Sequence, residues 1–189
     1  MIYIVIPTTP VRRARLQELI ESIYKNTKDI EYSIVIFENE LGGWVPAVHK
    51  ALEGISGYVV LLGSDVVVEE GWLKTLWDRF IATFPDGSGA AQPFDEIHNG
   101  GLCQHPLAHS DTIKKYLHSG YVHNYSDNEM TERLIADGKY LYVPEAKIEH
   151  KHFINGKAER DATYDIVFNK ESYRKDAMLF ANRKKNGFK

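Results

Sequence analysis

Three groups of side chains in this sequence have the types and spacing to do chemistry: Asp65, the pair Asp127 and Glu129, and the pair His150 and His152. Asp65 follows an apolar, β-favouring run, Tyr58 to Leu62, from which Gly63 and Ser64 separate it, and a second apolar run, Val66 to Val68, comes after it. That pattern is a buried central strand ending where a carboxylate is presented. In open α/β sheets, ligands bind at the carboxyl ends of the strands. Gly-Ser-Asp is also turn chemistry, so a capping role for Asp65 is the plainer alternative. Ser126-Asp127-Asn128-Glu129 has the S-x-x-E spacing of a capping box, with both acids near the positive end of a helix dipole. His150 and His152, two apart on a strand, put both imidazoles on one face, where they could hold a metal or simply meet solvent. A carboxylate after a central strand, another at a helix start and an imidazole after a late strand can converge at one sheet edge. Oxygen ligands with one imidazole suit Mn2+ or Mg2+. Such a cation neutralises a diphosphate leaving group.

The elements that must position these groups are legible as β-α-β-α-β. Ile2 to Ile6 is a short apolar run of the central-strand kind, ended by Pro7, with Thr9-Pro10 as a helix N-cap and first turn. Leu16, Leu19, Ile20 and Ile23 form one helical stripe. Ser33 to Phe37 is the next strand, closed by Glu38-Asn39-Glu40, and Gly42-Gly43 is a flexible loop. Trp44, Val48, Ala51 and Leu52 make a second stripe before the Tyr58 to Leu62 strand. Short links and this order predict a parallel sheet with helices on its faces. Beyond Asp65, the residues Trp72, Leu73, Leu76, Trp77, Phe80 and Phe84 predict a strong helix, and Ala90 to Pro93 a fourth strand. Residues 94–109 have no clear period. A short helix from Ser110 to about His118, a helix from Ser126 to Asp137 stopped by Gly138, short strands at Tyr140 to Val143 and Lys147 to Glu149, and a last amphipathic helix around Tyr173, Ala177, Phe180 and Ala181 complete the chain. Residues 183–185 are read as a frayed basic end.

Composition bounds the function class. The 189 residues fit one domain, and 43% hydrophobic and 26% charged residues are ordinary for a soluble globular protein. A formal net charge of −3 gives no nucleic-acid or membrane footprint. The single cysteine, Cys103, excludes an internal disulfide framework and any multi-cysteine zinc site, and reads as a buried small apolar residue. No apolar run reaches 18 residues, so no membrane span or signal peptide is expected, and the location expected by default is cytoplasmic.

The order of these segments resembles the family 2 type of GT-A glycosyltransferases. The resemblance is carried by Ile4-Val-Ile-Pro-Thr8, Val35-Ile-Phe-Glu-Asn39 and Leu61-Leu-Gly-Ser-Asp-Val-Val-Val-Glu-Glu-Gly-Trp-Leu73. It continues through Asn99-Gly-Gly101, Tyr125-Ser-Asp-Asn-Glu-Met-Thr-Glu-Arg133, and Gly138 to Ala146 followed by Ile148-Glu-His150. It covers about residues 2–152. It implies a GT-A, Rossmann-like α/β sandwich with a central, mostly parallel sheet over 1–152, and a C-terminal extension, 153–189, packed on the same domain. It implies transfer of a sugar from a nucleotide-diphosphate donor, a UDP-sugar being expected, to an acceptor hydroxyl, dependent on Mn2+ or Mg2+ and with inversion. By the same resemblance Asp65 is the metal-binding acid, His150 completes the metal site with His152 as the other candidate, and Pro7, Thr8, Glu38 and Ser64 join Asp65 around the nucleotide. Asp127 becomes the general base that takes the acceptor proton, and Glu129 is the neighbouring carboxylate that would raise its pKa. The family often has a second acid two positions before Asp65; here that position is Gly63. Trp44, Trp72 and Tyr125 are candidates for stacking on sugar or base, with Trp72 placed in the core by its helical stripe. Phe153 to Arg160 is read either as a lid bringing Lys157 or Arg160 to the diphosphate or as a solvated loop.

The acceptor expected is soluble or borne on a macromolecule, a modified base in nucleic acid included. Two rivals stand beside this reading. One is a non-catalytic nucleotide- or sugar-binding module of the same fold, which Gly63 favours. The other is a nucleotidyltransferase, whose basic loop Arg12 and Arg13 would supply without its glycines.

Overall fold

The computed structural model describes residues 1–39 and 43–189, so Glu40 and Gly42, at the edge of the expected glycine loop, lie outside the described residues. The strands are β1 (Ile2–Thr8), β2 (Tyr32–Glu38), β3 (Tyr58–Leu61), β4 (Val66–Val68), β5 (Ala90–Phe94), β6 (Leu107–His109) and β7 (Tyr140–His150). Among the described residues they form one seven-stranded sheet in the order β2-β1-β3-β6-β5-β7-β4. The pairings set β1, β2, β3, β5 and β7 in one direction and β6 and β4 against it, which makes the sheet mostly parallel. The helices are α1 (Arg13–Asn26), α2 (Trp44–Ala51), α3 (Trp72–Thr83), α4 (Ser110–Tyr116), α5 (Ser126–Ala136), α6 (Ala162–Val167) and α7 (Lys170–Lys185).

Two apolar layers flank the sheet, as the stripes require. Ile4, Ile6, Leu19, Ile23, Trp72, Leu76 and Phe80 pack on one face. Val5, Val48, Leu52, Leu61, Cys103, Ile113 and Leu134 pack on the other. Alternate residues of β1 therefore serve opposite layers, the mark of a strand buried on both sides. Trp72 is 1% exposed and donates its indole N–H to Thr27 Oγ1 at 2.9 Å, so it belongs to the core.

The structure departs from the periodicity in instructive places. Val66 to Val68 is a strand of its own, because it turns away from β3 to pair antiparallel with the end of β7. The two strands expected around Pro144 are one, β7, which absorbs the irregularity as a register shift against Pro93 and Phe94. Residues 94–109, which have no period, contain β6, a three-residue strand too short to show one. Thr9 does not cap with its side chain; its hydroxyl meets that of Thr163 at 2.9 Å. The capping box at 126–129 is not formed either. Ser126 is the first helical residue, Tyr125 precedes it with φ of +64°, and Ser126 Oγ donates to His123 O.

Glu129, fully buried, instead accepts from Tyr121, Arg133 and Arg183. Arg183 is thus no frayed residue: it fixes the end of α7 to α5 through two contacts of 2.7 and 2.8 Å. The other end of this dock is Asp176 on α7. It is 0% exposed and accepts the backbone N–H groups of Val122, His123 and Asn124 at 2.9 to 3.0 Å. It thereby shapes the loop that leads into α5. Replacing Asp176 by Ala leaves those donors without their acceptor, a cost of about 3 kcal/mol. Chemical denaturation should show a loss of that size, with α7 becoming the first segment cut in limited proteolysis.

Candidate active site at the carboxyl edge of the sheet

The pairing of β4 with β7 builds the site. Val66 lies opposite His150, and the N–H of Lys151 donates to Asp65 O at 2.7 Å. Two residues 85 apart in sequence are thus held side by side by backbone hydrogen bonds. Asp65 Oδ1 faces His150 Nε2 across 3.6 Å. Asp65 Oδ2 accepts from Arg12 Nη1 and from the Tyr164 hydroxyl, each at 2.9 Å. Behind His150, Nδ1 meets Asp95 Oδ2 at 3.2 Å, and His105 Nε2 lies 3.7 Å from the same oxygen. Asp95 follows β5 and is fixed through its other oxygen by the N–H of Ile97 at 2.8 Å. A Cβ at position 63 would lie 2.6 Å from Asp65 Oδ1, so with the carboxylate placed as it is the turn takes glycine there.

All of these groups are buried, and their charges are set by one another. Burial opposes ionisation of Asp65, but the facing His150 ring and the Arg12 guanidinium outweigh it and hold the carboxyl well below the usual carboxylate range. Burial likewise opposes charge on His150, yet its contacts with Asp65 and Asp95 raise it to about 9. Asp95 is lowered to about 2 against its own burial, by His150 and His105. Desolvation keeps His105, His123 and His152 neutral, each lowered to about 4.

A cavity of about 460 Å3 opens in front of this cluster, and Pro7, Thr8, Ser64, Asp65, Asp127, His150 and His152 line it together. Asp127 accepts from Gln104 Nε2 at 3.1 Å and from the N–H of Asn128 at 2.9 Å. Its carboxyl is raised by burial. Glu129 faces away from the cavity, with its carboxylate committed to Tyr121 and two arginines. Glu38 sits at the end of β2 beside Thr8 but does not line the cavity, pairing instead with Arg13 at 3.4 Å; Asn39, next in the chain, lines it. His152 Nδ1 accepts from the N–H of Ile154 at 3.2 Å, which puts its proton on Nε2 in the neutral ring. Trp44 and Tyr125 line the cavity. Lys157 and Arg160 do not reach it: Lys157 pairs with Glu96 and Glu149, and Arg160 with Asp165. Ile154 of the 153–160 stretch does line the cavity, together with Thr163, Tyr164, Ile166 and Val167 of α6.

The periodicity does not reveal Arg12, Asp95, His105, Tyr164 and Asp161 as members of this cluster. Asp95 carried a usable signal, since it follows a short apolar strand as Asp65 does. Arg12 is 9% exposed and is held by Asp161 at 3.1 Å as well as by Asp65. Arg13 projects into solvent. Within the described chain several buried polar atoms have no hydrogen-bond partner and belong to cavity-lining residues: Thr8 Oγ1, Gln104 Oε1, His123 Nδ1 and both ring nitrogens of His105. Buried polar groups ordinarily find partners, so these are groups a ligand can satisfy. Two donor atoms 3.6 Å apart match two ligands of one ion with bonds of about 2.1 Å. Asp65 and His150 therefore fit a divalent cation. Asp95, His105 and His150 also lie close enough together to hold one.

No family model matches the sequence, and no curated protein is significantly similar to it. Solved structures are similar. A crystal structure of S. aureus TarS superposes with a TM-score of 0.59 at 12% identity, over 79% of this chain and 36% of that one. TarS residues 1–349 superpose with a TM-score of 0.60 at 13% identity, over 79% and 60%. The chain shares the α/β fold of TarS. It spans less than two thirds of either TarS chain. Among its described residues no helix is long and apolar enough to cross a membrane.

His150 makes stability pH-dependent on the alkaline side. Its folded value lies above the ordinary 6.5. Its contribution is therefore fully present below about pH 6.5 and lost as pH rises through about 9. The three depressed histidines are neutral in folded and unfolded chains over most of that window. Urea midpoints of metal-free protein should fall between pH 6.5 and 9.5, and His150→Gln should flatten that limb.

Proposed function

We propose that this chain transfers a sugar from a nucleoside-diphosphate donor, a UDP-sugar in the first instance, to an acceptor hydroxyl, with help from Mn2+ or Mg2+. The observation that carries the reading is the facing pair of Asp65 Oδ1 and His150 Nε2 at 3.6 Å, in a cavity that Asp127 also lines. The glycosyltransferase fold supports it at the level of architecture. Pro7, Thr8 and Ser64, at the ends of β1 and β3, would bound the nucleotide, and Glu38, outside the cavity lining, would reach the base only by leaving Arg13. Asp65 and His150 would hold the cation, which supplies charge neutralisation to the departing diphosphate.

The rest of the work falls to the chain's own groups. Asp127 takes the proton of the acceptor hydroxyl as its oxygen bonds to the anomeric carbon and the bond from that carbon to the diphosphate breaks. Attack from the face opposite the leaving group inverts the centre. Burial, which raises Asp127, moves a carboxylate towards the working range of a base. Gln104 Nε2 fixes the plane of that carboxylate while lone pairs stay open to the acceptor. Arg12 and Tyr164, now on Asp65 Oδ2, are placed to turn to the diphosphate. The acceptor approaches from the Asp127 side, as a soluble molecule or a group on a macromolecule.

The rival with a specific observation behind it is a binding module without turnover. Gly63 leaves one acid in the turn, and Arg12 already neutralises it. Release of nucleoside diphosphate separates the two readings. With Mn2+ and a panel of UDP-sugars, slow release without acceptor is expected; nucleotide-dependent stabilisation with no release from any donor would mean a binding module. Asp65→Ala should abolish Mn2+-dependent nucleotide binding in calorimetry while the chain stays folded, since Arg12 keeps Asp161; unchanged affinity would remove Asp65 from the site. Asp127→Asn should leave donor binding intact and slow transfer by roughly 10²–10⁴-fold. Transfer at the wild-type rate would leave Asp127 as a helix-start residue only.

A further inference from the structure

Behind the cavity stands a carboxylate that touches no part of the proposed donor. Asp95 is 1% exposed and does not line the cavity. One of its oxygens is fixed by the N–H of Ile97, and the other meets His150 Nδ1 at 3.2 Å. We propose that Asp95 is a positioning residue that sets the tautomer and rotation of His150, so that the Nε2 lone pair points at the ion shared with Asp65. This rests on the transferase reading above and adds a residue to it.

The chemistry leaves little freedom. An ionised carboxylate only accepts hydrogen bonds, so the ring nitrogen facing Asp95 must carry the proton. A neutral imidazole has one N–H and one lone pair. A proton on Nδ1 therefore puts the lone pair on Nε2, which faces Asp65 Oδ1 across a span that one ion fills. The opposite assignment would place an ion among Asp95, His105 and Nδ1, and would leave Nε2–H facing Asp65 across 3.6 Å, beyond a good hydrogen bond. The shorter contact, 3.2 Å, lies on the Asp95 side. Carboxylates that hold a ligating histidine through its other nitrogen raise its basicity and fix its plane.

His105 is the informative control. It is 4% exposed, lies 3.7 Å from the same Asp95 oxygen, and neither ring nitrogen has a hydrogen-bond partner. Its ring stands edge-on to that of His150, with centroids 5.3 Å apart. In the arrangement proposed it walls the site and makes no bond to the ion. If the ion lay on the inner side, His105 would be its ligand.

The probe is Mn2+ alone, titrated against wild type, Asp95→Asn, His105→Ala and Asp65→Ala, with free Mn2+ read by electron paramagnetic resonance. Asp95→Asn should weaken Mn2+ binding by roughly 10- to 100-fold, Asp65→Ala should abolish it, and His105→Ala should leave it within about 3-fold. Loss of binding in His105→Ala with retention in Asp65→Ala would overturn the proposal and put the ion on the inner side. Affinity unmoved in Asp95→Asn would overturn it and leave the transferase reading standing. Wild type that binds no Mn2+ even with UDP present would overturn both. A second measurement does not depend on variants folding. In Zn2+-loaded wild type, long-range proton–nitrogen spectra of the histidine rings should place the His150 proton on Nδ1. A proton on Nε2 overturns the assignment.

Discussion

A carboxylate that is 5% exposed organises this molecule. Burying a charge costs several kcal/mol unless partners meet it with good geometry. Asp65 meets that condition by drawing on three distant stretches: Arg12 just before α1, His150 at the end of β7 and Tyr164 in α6. The Arg12 guanidinium also lies over the Tyr164 ring, 4.3 Å from its centroid. The first helix, the last strand and the C-terminal extension are thus tied to one oxygen pair at the end of a central strand. The sheet order is what makes this possible, since β4 leaves the Asp65 turn directly into pairing with β7.

The charges explain why such a site suits a diphosphate with a cation. Asp65, Asp95 and Asp161 are matched on their own side by Arg12, Arg15 and His150. A diphosphate entering this balanced set adds negative charge that the existing cations cannot cover without abandoning the aspartates. A divalent ion held by Asp65 and His150 would replace the imidazole's extra proton and add one net positive charge to the set, offsetting part of the diphosphate's charge. A second buried carboxylate set serves architecture alone. Glu129 with Arg133 and Arg183, and Asp176 with three backbone N–H groups, hold α7 against α5 and so fix the loop that delivers Asp127 to the cavity. Two acids two residues apart, Asp127 and Glu129, thereby have different surroundings, because successive positions on a helix point about 100° apart and two positions point nearly opposite ways.

Much of the framework was legible because it follows from periodicity. The apolar runs at 2–6, 33–37 and 58–62 and the stripes between them specify a parallel sheet with helices on its faces, and that is the sheet seen. Asp65 was conspicuous as a lone acid between two apolar runs. What periodicity could not reach is where long-range pairing overrides local signals. Ser126 to Glu129 reads as a capping box, yet Arg183 captures Glu129 from 54 residues away. Val66 to Val68 reads only as a second apolar run after the strand that ends at Asp65, and its pairing with β7 has no local signal. Arg12 stands beside Arg13 with nothing local to tell the two apart, yet it is buried against α6, a six-residue helix whose placement no local pattern predicts. His105 and Asp95 lay within or beside the stretch with no period, so their meeting with His150 was visible only in three dimensions.

The most direct measurement is anomalous diffraction at the manganese edge from crystals grown with UDP and Mn2+. One strong peak is expected within about 2.2 Å of both Asp65 Oδ1 and His150 Nε2, with the diphosphate of UDP on its open side. A peak among Asp95, His105 and His150 Nδ1, or UDP bound with no ion at Asp65, would contradict it.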